Sequence, residues 1–250
     1  MDMRPNRIKH TLAEGGIAKV ISGFTHPDDI EVYSPTDFDG IWLEGEHGPV
    51  DAAEVGNLTR ACDIIGMTSL VRVNMNDQGL IYRTLDRGAQ GIVVPHVNTK
   101  EEAQNVVAGG KFAPIGQRGM FLSRQGLGVK NYFDVANDET ALVILIEDII
   151  AVNNLDEILT VDNIDVFFVA PSDLAASMGH IGDHQNPKVQ KTMLDAIARI
   201  NDAGRVAGTI GTIENAAEFI SAGVRFLYSP MGSWIASGAA EYLSIAQNAK

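Results

Sequence analysis

Eight short runs of apolar and β-branched residues alternate along this chain with longer segments in which apolar residues recur at helical spacing. Eight strand–helix units in 250 residues average about 31 residues each, the length of one β–α–β step. The runs are almost continuously apolar, as expected for parallel strands that are covered on both faces. The predicted strands are residues 17–22, 40–44, 69–73, 91–95, 141–147, 165–170, 205–210 and 225–229.

The number of strands favours a closed (β/α)8 barrel over an open doubly wound sheet, which typically has about six strands. Amphipathic segments lie between the strands and supply the helix of each unit. The predicted helices are residues 51–65, 76–88, 99–109, 187–203, 213–222 and about 233–248. We therefore predict an α/β fold, a TIM barrel, in which residues 1–250 form a single domain.

One connection is much longer than the few residues that usually join a helix to the next strand. It covers about residues 113–140, between the fourth helix and the fifth strand. We predict that this inserted loop lies near the mouth of the barrel, where it would act as a lid or as a contact between subunits.

The charge and composition of the chain narrow the classes of partner and compartment. A net charge of −13 argues against nucleic acid and against an anionic membrane surface, because both require clustered Lys and Arg. No stretch approaches the roughly 18 apolar residues of a membrane span, and the N-terminal residues contain no apolar signal region. The single cysteine, Cys62, rules out an intramolecular disulfide and lies in an apolar helical pattern, which favours a packed thiol. We expect a cytoplasmic protein.

Polar side chains follow several predicted strands at the point where each strand ends. In TIM barrels the carboxyl ends of the strands form the active site. Any one of these residues could be a solvated loop residue, but their placement at one rim indicates a functional site. The residues concerned are Glu44, Glu46, His47, Arg72, Glu147 and Asp173.

Two of these acids are candidates for metal ligands. Glu147 ends a seven-residue run of which six residues are apolar, and Asp173 follows the adjacent strand. Carboxylates without a neighbouring His or Cys are typical ligands of Mg²⁺ or Mn²⁺, which keep open positions for water and substrate oxygens. The alternative for Asp173 is that it only caps a short helix at residues 174–178.

Two residues of the same rim are candidates for substrate binding and proton transfer. Arg72 places a fixed positive charge on an apolar strand and could bind an anionic substrate. Its alternative role is an internal ion pair with an acid such as Glu44. His47 could act as a general base near neutral pH, or it could be a hydrogen-bonded structural residue of the tight "EHGP" turn.

The sequence lacks the residues that several other mechanisms require. A Schiff-base aldolase requires a lysine on an inner strand face, yet strands three to eight contain none and Lys19 is the only strand lysine. The glycine-rich signatures of nucleotide-binding loops are absent. Glycines at residues 208–212 and 229–233 follow strands seven and eight, where many barrels bind phosphate, so a phosphorylated substrate remains a minor possibility.

Five segments resemble one known family. They are "DGIWLEGEHGPVD", "VRVNMND…LDRGAQGIVVPHVNTKEEA", "KFAPIGQRG", "LIEDIIAVNNLDEIL" and "IDVFFVAPSDLAASMG". In this order, from about residue 15 to residue 223, they resemble the HpcH/HpaI family of metal-dependent (class II) pyruvate aldolases. The resemblance implies a (β/α)8 barrel, a homo-oligomer that is usually a hexamer built from dimers, and a divalent metal ion such as Mg²⁺, Mn²⁺ or Co²⁺.

The resemblance also implies roles for individual residues. Glu147 and Asp173 would hold the metal ion. Arg72 would hold the keto oxygen and stabilise the enolate, with Pro171 and Ser172 as further substrate-binding residues. His47 would belong to the acid/base pair.

Two further matches and two departures concern positions outside this set. Asp86, in "LDRGAQ", matches a recurrent position of the family and is a candidate catalytic residue, although its place at a helix end also suits an arginine partner. Gly116, Arg118 and Gly119 match the family's "G-x-RG" turn. Glu44 stands where the family usually has Asp, and we expect it to orient His47. The last strand and loop, "RFLYSPMGSW", depart from the usual ending.

The predicted reaction is the reversible aldol cleavage of a 4-hydroxy-2-oxo acid into pyruvate, or a close 2-oxo acid, and an aldehyde. One alternative is a decarboxylase that acts on an oxaloacetate-like 2-oxo acid through the same enolate chemistry. The other is a non-catalytic barrel that binds small anions or partner proteins.

Overall fold

A computed structural model describes residues 2–32 and 36–248 of the protein. Eight parallel strands pair in chain order and close into a barrel, which confirms the predicted TIM-barrel fold. Every observed strand boundary lies within two residues of its predicted position. The strands are β1 (Ala18–Ser22), β2 (Gly40–Glu44), β3 (Thr68–Arg72), β4 (Gly91–Val94), β5 (Ala141–Ile146), β6 (Val166–Val169), β7 (Ala207–Ile210) and β8 (Phe226–Pro230).

Helices surround the barrel, and several connections carry short additional helices. The observed helices include all six predicted ones, most of them slightly shorter than predicted. They are α1 (Arg7–Ala13), α2 (Pro27–Glu31), α3 (Val55–Ile64), α4 (Gln78–Asp86), α5 (Lys100–Gly110), α6 (Tyr132–Val135), α7 (Ile149–Asn153), α8 (Leu155–Ile158), α9 (Pro171–Ser177), α10 (Pro187–Asp202), α11 (Ala216–Ser221) and α12 (Met231–Asn248).

The apolar residues of the strands form two separate cores, one inside the barrel and one between the barrel and its helices. Successive side chains of a strand point to opposite faces, so Phe168 lies in the inner core and Phe167 in the outer one. Ile8 and Leu12 of α1 pack into the inner core from the end where the strands begin. The opposite end is left open, and the last inward-facing residues of the strands surround it.

The inserted loop is not where the sequence placed it. Residues 113–140 leave the end of α5 and enter β5, so they lie where the strands begin, at the amino-terminal face. Arg118 donates to Asp86 at the end of α4, and Arg124 donates to Asp63 at the end of α3. The predicted position near the mouth is therefore wrong, because a connection from a helix to a strand runs along the face opposite to the strand ends.

Two expectations from composition can be compared with the structure. Cys62 is completely buried in the outer core, and this burial raises the pKa of its thiol well above the usual range, as expected for a packed thiol. Over residues 2–32 and 36–248, no helix has the length and apolar character that a membrane crossing requires.

Candidate active site

A pocket of about 300 Å³ opens at the carboxyl ends of the strands, and we call it the mouth pocket. Its floor is apolar and its walls carry the charged residues that the sequence singled out. The structure thereby brings together six of the predicted site residues, His47, Arg72, Glu147, Pro171, Ser172 and Asp173. Trp42, Leu145, Phe168, Ala170, Ile210 and Tyr228 complete the lining.

Arg72 is held by two acids while it lines this pocket. The register of β2 and β3 sets Glu44 beside Arg72, and Arg72 Nε donates to Glu44 Oε1 at 3.0 Å and Oε2 at 2.8 Å. Its Nη1 lies 2.8 Å from Glu46 Oε2. No acceptor in the described part of the chain engages Nη2. The predicted ion pair with Glu44 is therefore present, and it orients the guanidinium with one nitrogen still available to a ligand.

Glu44 contacts the backbone of the turn and not the imidazole of His47. Glu44 Oε1 accepts the backbone N–H groups of Glu46 at 2.8 Å and His47 at 3.0 Å. Burial acts to raise the pKa of Glu44, but these hydrogen bonds and the charge of Arg72 outweigh it, so the pKa is lowered. The expectation that Glu44 orients the His47 side chain is wrong, because Arg72, Trp42 and the turn backbone already occupy both of its oxygens.

The His47 imidazole is exposed at the rim of the mouth pocket. Its Nε2 lies 3.8 Å from Glu46 Oε2, and 70% of the side chain is accessible. The turn that carries it is tight, because a Cβ at Gly48 would lie only 2.6 Å from the Glu44 carbonyl oxygen. The backbone of this turn is thus fixed while the imidazole is free to approach a substrate.

Glu147 is a buried carboxylate that lines the mouth pocket. Its side chain is 1% exposed, and its Oε1 accepts the backbone N–H of His96 at 2.7 Å. His96 makes this contact with φ of +53°, in the left-handed region that non-glycine residues seldom adopt. Burial is the main cause that raises the pKa of Glu147; the His96 N–H and imidazole oppose the shift, whereas Asp173 and Glu46 add to it.

The donor set of Glu147 and Asp173 fits a hard divalent cation. Glu147 and Asp173 both line the mouth pocket and the charge of Asp173 acts on Glu147, whereas Arg72 is engaged by Glu44 and Glu46. In the described ranges no group of three or more His, Cys, Asp or Glu side chains could hold a metal ion. Mg²⁺ and similar ions are commonly bound through one or two carboxylates, with water and substrate oxygens as the other ligands.

Asp86 is not part of the mouth pocket of its own barrel. It ends α4 at the amino-terminal face and accepts a hydrogen bond of 2.8 Å from Arg118 Nη2. Arg118 is 2% exposed and lies over the Phe112 ring, 4.4 Å from its centroid. The structure therefore places Asp86 as the partner of an arginine, the alternative that its position at a helix end suggested, and away from the other candidate catalytic residues.

The lysines are placed away from the mouth pocket. No lysine is among the described residues that line it. Lys19 lies near Asp37 on the outer side of the barrel, with Nζ 3.5 Å from Oδ2. Burial lowers the pKa of Lys111 to about 8, but this amine follows α5 and donates to the carbonyl groups of Asn137 and Thr140. Within residues 2–32 and 36–248, no lysine amine lies at the strand ends where a Schiff-base mechanism would need it.

Sequence reasoning missed three residues of this site, His96, Trp42 and Tyr228, and it singled out Glu46 without giving it a role. His96 follows a strand end, the same signal that singled out Glu44, Glu46 and Glu147. Trp42 donates from Nε1 to Glu44 Oε2 at 3.1 Å, and Tyr228 faces inward because it stands two residues after the inner-core residue Phe226. The alternation of inward and outward residues in β2 and β8 could have identified both aromatic side chains.

The chain is similar to known proteins in both sequence and fold. A sequence model of the HpcH/HpaI aldolase/citrate lyase family matches residues 22–228. The hydroxypyruvate/pyruvate aldolase of Roseovarius nubinhibens is 37% identical over 212 residues, 82% of each chain. The 5-keto-4-deoxy-D-glucarate aldolase of Escherichia coli O157:H7 is 34% identical over 235 residues, 90% of each chain. A HpcH/HpaI aldolase/citrate lyase family protein from Burkholderia cenocepacia J2315 has a crystal structure with a TM-score of 0.90, 26% identity, and coverage of 97% of this chain and 100% of that one.

Proposed function

Because the chain belongs to the HpcH/HpaI aldolase/citrate lyase family, we propose that it cleaves a 4-hydroxy-2-oxo acid reversibly into pyruvate, or a close 2-oxo acid, and an aldehyde. The resemblance seen in the sequence is confirmed, and the protein is a carbon–carbon lyase. The observation that carries the proposed reaction is the mouth pocket itself. It brings the buried carboxylate of Glu147, the carboxylate of Asp173 and the guanidinium of Arg72 to the same pocket.

The proposed metal ligands are Glu147 and Asp173, and the ion is Mg²⁺, Mn²⁺ or Co²⁺. When bound, such an ion would act as a Lewis acid that polarises the 2-oxo group of the substrate and stabilises negative charge on its oxygen. Glu147 suits this role because it is buried at the end of an apolar strand, where an ionised carboxylate is costly unless a cation lies beside it. His96 contributes a backbone N–H that fixes the orientation of the Glu147 carboxylate.

The remaining residues of the mouth pocket bind the substrate and move its proton. Arg72 would bind the 2-oxo oxygen with its available Nη2 and take up the enolate charge that develops when the C3–C4 bond breaks. Glu44 and Glu46 keep the guanidinium in place during this change. His47 would remove the proton of the C4 hydroxyl, and Pro171 and Ser172 would form the wall against which the 2-oxo acid packs.

Treatment with a chelator tests this reaction. EDTA is expected to abolish the release of pyruvate from a 4-hydroxy-2-oxo acid, and added Mg²⁺, Mn²⁺ or Co²⁺ is expected to restore it. The reason is that Glu147 and Asp173 cannot polarise the 2-oxo group without a bound cation. The assay couples pyruvate to lactate dehydrogenase and follows NADH absorbance, with added pyruvate as the control for the coupling enzyme.

Three results would contradict the proposal. Activity that survives EDTA but is lost when borohydride is added with pyruvate would indicate a lysine mechanism. Release of pyruvate from oxaloacetate alone would indicate a decarboxylase. A purified protein that retains no metal ion and turns over neither substrate would indicate a barrel that only binds ligands.

We further propose that the protein is a homo-oligomer, which the family resemblance extends to a hexamer, and that α12 docks on a second copy. No residue of α12 is buried in its own chain, although Ile235, Tyr242 and Ile245 form a stripe on one face. In a (β/α)8 barrel each helix normally covers the neighbouring strands. An apolar depression of about 220 Å³ beside β8 and β1, lined by Phe38, Leu227 and other residues, offers a matching surface on the partner.

Charges on the apolar stripe of α12 are expected to dissociate the oligomer. The double variant Ile235→Glu/Ile245→Glu should move the mass in light scattering toward the 26.9 kDa of one chain, because buried carboxylates would face an apolar partner surface. The matched control is Ser237→Glu/Ser244→Glu, which adds the same charge on the opposite face of α12 and should leave the mass unchanged. A wild-type protein that is monomeric at micromolar concentration would refute the assembly.

A further inference from the structure

Tyr228 is an aromatic residue of the mouth pocket to which the reaction above gives no role. It faces inward from β8, and its ring centroid lies 4.6 Å from that of Trp42 and 6.1 Å from that of Phe168. These rings form the floor of the mouth pocket, and Phe168 and Trp42 are almost completely buried. Packing on two sides restricts the Tyr228 ring, so the position of its hydroxyl is determined by the fold.

The hydroxyl of Tyr228 is arranged as a hydrogen-bond donor toward the pocket. The hydroxyl of Ser22, a buried inward-facing residue of β1, lies 2.7 Å from Tyr228 Oη. With Ser22 as the donor of this pair, the phenol proton is left for an acceptor in the pocket, and residues 2–32 and 36–248 supply no other acceptor for it. Burial is the main cause that raises the pKa of Tyr228, so the phenol keeps its proton at neutral pH.

Tyr228 faces the mouth pocket from β8, which pairs with β1 and β7, whereas Glu147 and Asp173 follow β5 and β6. Trp42 of β2 packs against Tyr228, and the charges of Glu44 and Arg72 reach the phenol. His47 follows the same strand β2. A substrate whose 2-oxo acid end lies beside Glu147 and Asp173 would have His47 and Tyr228 as the polar groups of the mouth pocket that remain for its C4 end.

We propose that Tyr228 is a further catalytic residue, which donates a hydrogen bond to the C4 oxygen of the substrate, the oxygen that becomes the aldehyde carbonyl. This inference rests on the proposed aldol reaction. In cleavage, His47 takes the C4 hydroxyl proton, the electron pair of the C3–C4 bond passes to the enolate, and the C4–O bond becomes a carbonyl. Tyr228 keeps its proton throughout and stabilises the negative charge that develops on the C4 oxygen. In the synthetic direction the same phenol polarises the aldehyde.

The variant Tyr228→Phe tests this role because it keeps the ring in the aromatic floor and removes only the hydroxyl. The expected result is a fall in kcat/KM for cleavage of roughly a hundredfold, typical for the loss of one donor to a developing oxyanion. The exchange of the pyruvate methyl protons with D2O, followed by NMR, should continue at the wild-type rate. Exchange forms the enolate without any C4 oxygen, and its persistence also shows that the variant is folded.

A matched control is available in the inserted loop. Tyr132 Oη donates to Ser123 Oγ at 2.8 Å, so Tyr132→Phe removes the hydroxyl of another buried tyrosine–serine pair away from the mouth pocket. It should change neither reaction. Unchanged cleavage by Tyr228→Phe would overturn the inference, and so would equal losses of cleavage and exchange. A wild-type protein that catalyses neither reaction would instead refute the proposed function.

Discussion

The variant Glu147→Gln is expected to lower kcat for aldol cleavage by roughly a thousandfold or more. Glutamine has the same shape and retains a carbonyl oxygen that can accept the His96 N–H, so the backbone contact at the end of β4 survives. What is lost is the buried negative charge beside Asp173. A single carboxylate would then remain to hold the proposed divalent ion, and the 2-oxo group would no longer be polarised at the same position.

Three measurements separate this loss of function from a loss of structure. Steady-state rates give kcat and KM, elemental analysis of the dialysed protein gives the metal content, and thermal unfolding gives the stability. We expect kcat and the metal content to fall. The stability should stay near the wild-type value, because burying a neutral amide costs less free energy than burying a carboxylate. Glu139→Gln is the control, since Glu139 also accepts a backbone N–H, from Asn6 at 2.6 Å, but at the opposite end of the barrel. Full activity in Glu147→Gln would remove the basis of the metal assignment.

The barrel could be predicted because strands that are buried on both faces appear in the sequence as continuous apolar runs. A run such as "ALVILI" is apolar on both faces, since Leu142 faces the helices and Val143 faces the barrel interior. The same alternation assigns Glu147 and Arg72 to the inner face at the strand ends. The apolar runs and the alternation of inward and outward residues were enough to locate the site at the mouth, without any knowledge of side-chain partners.

Side-chain pairing at the mouth could be predicted only as a set of alternatives, because it depends on distances across strands. The pair of Arg72 with Glu44 was one alternative and is present, whereas the expected contact of Glu44 with the His47 side chain, three residues away in sequence, is not. Asp86 shares a motif with the site residues and yet lies at the other face with Arg118. Strand order makes Glu44 and Arg72 neighbours, whereas the direction of α4 carries Asp86 away from the mouth.

The second large effect is expected at Arg72. The variant Arg72→Lys keeps the positive charge but should lower kcat/KM roughly a hundredfold or more, since an ammonium cannot contact Glu44 and Glu46 and also present a separate nitrogen to the 2-oxo oxygen. The loss should appear in kcat more than in KM, because Arg72 is proposed to take up charge that develops only as the C3–C4 bond breaks. Arg83→Lys, on the outer surface of α4, is a control for the exchange of these side chains.

Arg72→Ala adds an effect on stability whose pH dependence identifies the ion pair. The variant leaves Glu44 and Glu46 without their shared cation, which is expected to lower the free energy of unfolding by about 3 kcal/mol near neutral pH. Because the wild-type pKa of Glu44 is lowered, its contribution is complete above the ordinary glutamate pKa and is lost as the pH falls through the folded-state pKa. The difference in stability between wild type and Arg72→Ala should therefore shrink on acidification. A difference that stays constant between pH 7 and about pH 3 would show that Arg72 contributes packing alone, with no ion pair to orient its guanidinium for catalysis.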